Sequence, residues 1–178
     1  MNKLTADFIN SRIEENPKSF ILECEKNYRD KVSLIVKEVS RKSGRELVML
    51  AGPSSSGKTT TALNLKKSFE AQGRSAKVIS LDDFYCDQNL TYTFEDGTTD
   101  YETVKALDVT LIDECLSSLM KNGKADVPHF SFQSKKREGF SEVSCEKDEI
   151  IIVEGLHALN PVITDPLQNE SMKKLYVS

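Results

Sequence analysis

Between Phe20 and Val39, apolar side chains recur at steps of three and four: Phe20, Cys24, Tyr28, Val32, Ile35, Val36 and Val39. Such spacing draws one stripe along a helix. It predicts helices over 3–15 and 18–42, the second closed by Gly44 in "SGR" as a C-terminal cap. Then the period changes. "ELVMLAG" (46–52) is a continuous apolar run, the mark of a strand buried on both faces. A helix over 58–72 follows, with Ala62, Leu65 and Phe69 on one side, and "SAKVISLDD" (75–83) reads as a second buried strand. The polar stretch 84–100 is too long for a mere connector and is expected to be functional or mobile. "ALDVTLIDECLSSLMKNG" (106–123) is a helix with Asp108 as N-cap and Gly123 as its stop. "VPHFSFQSKKREGFSEVSCE" (127–146) alternates around a basic, Gly-containing turn and reads as a hairpin. "DEIIIVEG" (148–155) gives a third buried strand, 160–170 a short helix or turn, and "KKLYVS" (173–178) a fourth strand. Alternation of strand and helix predicts an α/β fold: a parallel sheet with helices on both faces, plus the hairpin and the N-terminal helices.

Composition narrows the class. The 178 residues suit one core, with 38% hydrophobic and 29% charged residues. We divide them into an N-terminal helical segment, 1–45, and a main domain, 46–178. The net charge of -4 argues against non-specific binding to nucleic acid or anionic lipid. No apolar run is long enough to cross a bilayer, and "MNKLTADFINSRIEEN" lacks the apolar centre of a signal peptide. A cytoplasmic protein is expected. Cys24, Cys86, Cys115 and Cys145 form no Cys-x-x-Cys pair, so they read as buried or partly buried free thiols.

The chemistry starts at "GPSSSGKT" (52–59), which satisfies G-x-x-x-x-G-K-[ST]. Glycine permits backbone angles that let a loop wrap its N–H groups around phosphate oxygens. Gly52, Ser54, Ser55, Ser56, Gly57, Lys58, Thr59 and Thr60 are the expected phosphate-binding residues. Lys58 would reach the outer phosphates, the Thr59 hydroxyl would hold Mg²⁺, and the positive end of the next helix would face the anion. A strand before the loop and a helix after it are the context that this chemistry requires.

Three strand-end carboxylates accompany the loop. Asp82 and Asp83 stand just past the second strand, and Glu154 ends "IIIVE", where an acidic side chain can reach loop-bound metal. Ligands of open parallel sheets bind beyond the carboxyl ends of the strands. One of the two aspartates is the commoner kind that merely caps a turn. An acidic group closing an apolar run is costly to shelter without a cation, which favours a role for Glu154.

Taken together, "GPSSSGKTT", "SLDDFY", "DYETVKALD", "VPHFSFQSKKR" and "IIVEGLHAL" resemble the uridine kinase and phosphoribulokinase family in order and spacing, and the uridine kinase branch most. The matching motifs span 47–160. The resemblance implies ATP and Mg²⁺ as cofactors and transfer of the γ-phosphoryl group to a primary hydroxyl of a small molecule, uridine or cytidine in uridine kinases. It implies Asp82 as catalytic base beside Lys58, and Thr59, Glu154 and Asp82 around the metal. It places Asp83, Tyr85, Asp100, Phe130, Lys135 and Arg137 on the acceptor side, with Asp100 binding the ribose and Phe130 and Arg137 in a hairpin that closes over base and sugar.

The chain departs from that family in three places. Typical uridine kinases carry Tyr at the position of Phe130 and His at that of Lys135, side chains that read the pyrimidine. Lys135, Lys136 and Arg137 form a run that is more commonly a solvated turn, and otherwise points to an anionic acceptor such as a sugar phosphate. The family also continues past its fourth strand into an Arg-bearing lid, whereas this sequence reaches "KLYVS". On that basis the sequence reads as a shortened kinase that binds nucleotide and transfers phosphate slowly. Its fourth strand lies at or near an open sheet edge, which favours a homo-oligomer. Pantothenate-like acceptors and a regulatory ATPase without a small acceptor are the other readings.

Overall fold

The structure is a computed structural model that describes residues 5–87 and 100–178. Its centre is a four-stranded sheet in the order β2-β5-β1-β6. The strands are β1 (Glu46–Ala51), β2 (Ala76–Ser80), β5 (Ile150–Glu154) and β6 (Met172–Tyr176), and every pairing is parallel. β3 (Lys124–Ser131) and β4 (Lys136–Ser144) form a separate antiparallel hairpin. The helices are α1 (Ala6–Glu15), α2 (Pro17–Val39), α3 (Lys58–Glu70), α4 (Val109–Asn122) and the single turn α5 (Pro161–Thr164).

The continuous apolar runs are strands because both faces of the sheet are covered. Leu47, Met49, Ile151 and Val153 point to one side, into a core completed by Ile112, Leu116 and Leu119 of α4 and by Val127 and Phe130 of β3. Val48, Leu50, Ile150 and Ile152 point to the other, against Val32, Val36 and Val39 of α2 and Ala62, Leu65 and Phe69 of α3. The period of two along each strand thus serves two separate cores.

Sequence and structure differ at several ends. β2 stops at Ser80, because the Ser80 side chain accepts the Asp82 N–H and starts a 3-10 turn, Leu81–Phe84. Asp82 and Asp83 therefore sit in that turn. Gly44 does not cap α2, whose C-cap is Ser40; at φ +87° it shapes the approach to β1, where its N–H donates to Asp148 Oδ1. The N-cap at Asp108 and the left-handed stop at Gly123 match the pattern. Cys24 is exposed, unlike the buried Cys115 and Cys145, because the first half of α2 stands off the core. The expected functional stretch 84–100 falls largely outside the described residues.

Arg74 ties the sheet's lower end together. Its guanidinium donates to the carbonyls of Asp148 (2.7 Å), Val39 (3.0 Å), Lys42 (2.7 Å) and Gly44. Arg74→Ala leaves the two partly buried carbonyls, of Val39 and Gly44, without that donor, and each unmet group costs about 1–3 kcal/mol. Urea denaturation should show a loss of about 2–4 kcal/mol. A loss below about 0.5 kcal/mol would mean that water replaces the guanidinium freely.

Candidate active site

The turn between β1 and α3 is shaped by two glycines. A Cβ on Gly52 would collide with the Val177 carbonyl oxygen and lie 2.7 Å from Ser56 Oγ. Gly57, at φ +86°, is the left-handed residue that starts α3. Ser55 also has positive φ, at 60°. Ser56 Oγ is buried without a hydrogen-bond partner, an arrangement that an incoming phosphate oxygen would satisfy. Lys58 Nζ donates to Pro53 O at 2.8 Å and so folds back over the loop it follows.

Beside the loop, Thr59 Oγ1 and Ser80 Oγ each donate to Glu154 Oε1 at 3.2 Å. Glu154 is 6% exposed. Among the described residues no three His, Cys, Asp or Glu side chains cluster as a metal cage. Mg²⁺ is commonly held by one or two carboxylates and the substrate's own phosphates. A buried carboxylate beside a hydroxyl at the start of α3 fits such an ion.

A cleft of about 290 Å³ opens next to these groups, lined by Ser54, Lys58, Asp82, Tyr85, Tyr101, Glu102, Phe132 and Leu156. Desolvation raises the Asp82 carboxyl above its ordinary range; Lys58 opposes the shift and Asp83 adds to it. Burial, reinforced by the Asp82 charge, pushes the Tyr85 phenol to about 12, so it stays protonated and donates to Tyr101 O at 2.9 Å. Tyr85 is fixed by a bridge to Leu107, while Cys86 N donates to Ala106 O and Asp108 N to Phe84 O.

The predicted residues divide. Ser54, Lys58, Asp82 and Tyr85 line the cleft, and Thr59 and Glu154 meet beside it. Gly52, Ser55, Ser56, Gly57 and Thr60 belong to the loop and the first turn of α3. Asp83, Asp100, Phe130, Lys135 and Arg137 are not among the lining residues. Asp100 Oδ1 instead accepts the Glu102 N–H at 2.9 Å, and of these two acidic residues Glu102 is the one that lines the cleft. Phe130 is sunk in the core at 9% exposure, and the cleft takes Phe132, 52% exposed, in the turn that follows β3. Lys135 sits at the exposed hairpin turn with φ 55°. Arg137 is committed elsewhere: its Nη2 pairs with Asp108 Oδ2 at 3.0 Å and its N–H donates to Asp87 Oδ1.

Tyr101, Glu102, Phe132 and Ser80 were missed as site residues. Tyr101 and Glu102 lie in "DYETVKALD", and Phe132 lies in the turn just past β3, where strand periodicity gives no signal. Tyr85, Tyr101 and Phe132 pack edge to face, with ring centroids 5.2 to 5.9 Å apart.

A phosphate loop joining a parallel strand to a helix, with carboxylates at the adjacent strand ends, defines the P-loop kinase class of α/β proteins. Within it, the chain belongs to the phosphoribulokinase / uridine kinase family, whose model matches residues 47–165. It is 32% identical over 136 residues to a uridine kinase of Vibrio vulnificus (strain YJ016), covering 75% of this chain and 62% of that one. The chain therefore spans somewhat less than two thirds of that relative's length. Its fold is similar to that of a possible uridine kinase from Bacillus stearothermophilus, with TM-score 0.69, 20% identity, and coverage of 84% of this chain and 80% of the other. It is also similar to D-glycerate 3-kinase from Cryptococcus neoformans, with TM-score 0.56, 21% identity, and coverage of 72% and 52%.

The Asp82 shift carries a stability consequence. A raised folded-state value means that ionised Asp82 is disfavoured by folding, a penalty absent at low pH and present once pH exceeds the folded value. Asp82→Asn should raise the thermal midpoint slightly at pH 7, and the difference should close below about pH 4. A lower midpoint for the variant at pH 7 would show that Lys58, not burial, sets the carboxyl's environment.

Proposed function

We propose that this chain holds the donor and acceptor sites of an ATP-dependent small-molecule kinase of the uridine kinase type. One observation carries the reading: Lys58 and Ser54 of the phosphate loop share a single cleft with Asp82, Tyr85 and Glu102. A regulatory ATPase has no need of an acceptor cleft with two further carboxylates at its phosphate loop.

The loop N–H groups and Ser56 bind the donor's phosphates, and Lys58 swings from Pro53 to the outer ones. Thr59 and Glu154, with Asp82, are the residues that would hold Mg²⁺, whose charge would offset that of the donor phosphates. Asp82 accepts the proton of the acceptor hydroxyl as that oxygen bonds to the γ-phosphorus. The bond from the γ-phosphorus to the bridging oxygen breaks, and ADP leaves. Burial raises the affinity of Asp82 for protons, which makes it a stronger base than an exposed aspartate. Glu102 binds acceptor hydroxyls.

The acceptor is an uncharged polyol with a flat ring, most simply a nucleoside. Lys58 is the one cation among the described residues lining the cleft, and the donor phosphates engage it. Tyr85, Tyr101 and Phe132 offer apolar ring surface instead of an anion site.

A phosphorylation screen with ATP across nucleosides, glycerate, pantothenate and sugar phosphates tests this. Uridine or cytidine should lead; selective turnover of a sugar phosphate would refute the neutral acceptor. In calorimetry with Mg·ATP, Lys58→Ala should abolish binding or weaken it severely, and unchanged affinity would leave the loop without its role. Asp82→Asn should keep ATP affinity within a few-fold and slow transfer by about a hundred- to ten-thousand-fold. If Asp83→Asn causes the larger loss, the base is misassigned. Glu102→Gln should raise the acceptor KM by roughly ten- to a hundred-fold, the worth of a hydrogen bond to a charged group, with the ATP KM unchanged.

A further inference from the structure

Ser80 ends β2 directly opposite Glu154 on β5, its partner in the parallel register. Cross-strand partners put their side chains on one face, within reach of each other. Its hydroxyl has one proton to give and two lone pairs. The Asp82 backbone N–H can only donate, and does so to Ser80 Oγ at 3.3 Å. The hydroxyl proton is thereby left for Glu154 Oε1, 3.2 Å away. One small side chain thus joins the buried carboxylate to the turn that carries the base.

We propose that Ser80 is a positioning residue that fixes Glu154 and Asp82 relative to each other. The proposal rests on the functional reading above for its kinetic consequences, and on geometry alone for its structural one. In the present arrangement Thr59 and Ser80 hold the same oxygen of Glu154. Thr59 is the group expected to turn toward the metal of a bound donor, and Ser80 then remains as the donor that keeps the carboxylate aimed. Removing such outer partners of a metal carboxylate typically costs 10- to 100-fold in metal affinity or activity.

Three variants of the full chain test this: Ser80→Ala, Ser80→Thr and Ser80→Cys. Mn²⁺ binding in the presence of ADP, read by electron paramagnetic resonance, should weaken about 10-fold or more in Ser80→Ala and return to within about three-fold in Ser80→Thr. Ser80→Cys, close in size but a poor donor, should behave like Ser80→Ala. Turnover at limiting metal should fall in parallel, while affinity for metal-free ADP stays near wild type. Equal loss in the Thr and Ala variants, or Mn²⁺ affinity in Ser80→Ala within two-fold of wild type, overturns the proposal. A wild-type chain that holds no Mn²⁺ with ADP would sink the kinase reading instead. The crystal structure of Ser80→Ala decides Ser80 in either case. The Glu154 carboxylate should rotate and the Leu81–Phe84 turn should shift; both unmoved would refute the role.

Discussion

Parallel pairing of β5 between β1 and β2 is the constraint on which the site depends. The register sets Leu50 and Ser80 on either side of Glu154. All three strands therefore end at one level, and the chain leaves each of them into a functional turn. β1 enters the phosphate loop, β2 enters the turn bearing Asp82, and β5 delivers Glu154 itself. A slip of one residue would turn Glu154 away from Thr59 of α3 to the opposite face of the sheet, the side of the core filled by α4 and β3. Ile150 to Val153 are apolar on both faces, so the discrimination against that slip comes from Glu154, which would lose its hydrogen bonds from Thr59 and Ser80.

Much of this was legible in the chain. The apolar runs at 46–52 and 148–155 have the length and composition of strands covered on both sides, and the loop motif sits between a strand and a helix as its chemistry demands. Strand ends were less legible. "VISLDD" reads as one strand to Asp83, because hydropathy does not register that the Ser80 hydroxyl captures the Asp82 amide and starts a turn. The acceptor side was least legible. Asp100 and Glu102 are both acidic and two residues apart, and composition cannot tell which one is spent on capping the other's amide. Arg137 was expected at the acceptor for its charge, yet an ion pair with the N-cap of α4 claims it.

The electrostatics of the cleft follow from the same placement. Lys58 is drawn toward the Pro53 carbonyl while Asp82 and Glu102 face the cleft, so the described lining is rich in negative charge. For the anionic donor proposed above, the loop N–H groups, the start of α3 and a divalent cation would supply the compensating positive charge. The three rings of Tyr85, Tyr101 and Phe132 close the opposite side and lower its polarity. Burial of Tyr85 beside Asp82 shows the cost of that arrangement, since it drives both groups toward their protonated forms.

The N-terminal helices take part unequally. Val32, Val36 and Val39 cover the sheet face formed by Val48, Leu50, Ile150 and Ile152, in company with Phe69 of α3. A parallel sheet exposed on one face would present a wide apolar surface to water, so this end of α2 is part of the same core as the phosphate loop's strand. The first half of α2, with α1, has no buried residue before Val32 and is held mainly to itself, through the Phe8–Phe20 ring contact and the Arg12–Glu23 ion pair. Tyr28 marks the transition, donating to Thr61 Oγ1 at 3.2 Å, one turn along the helix that opens at Lys58. Packing and hydrogen bonding thus couple α2 to the helix that follows the loop motif, and the 1–45 segment supports that helix from behind through its second half.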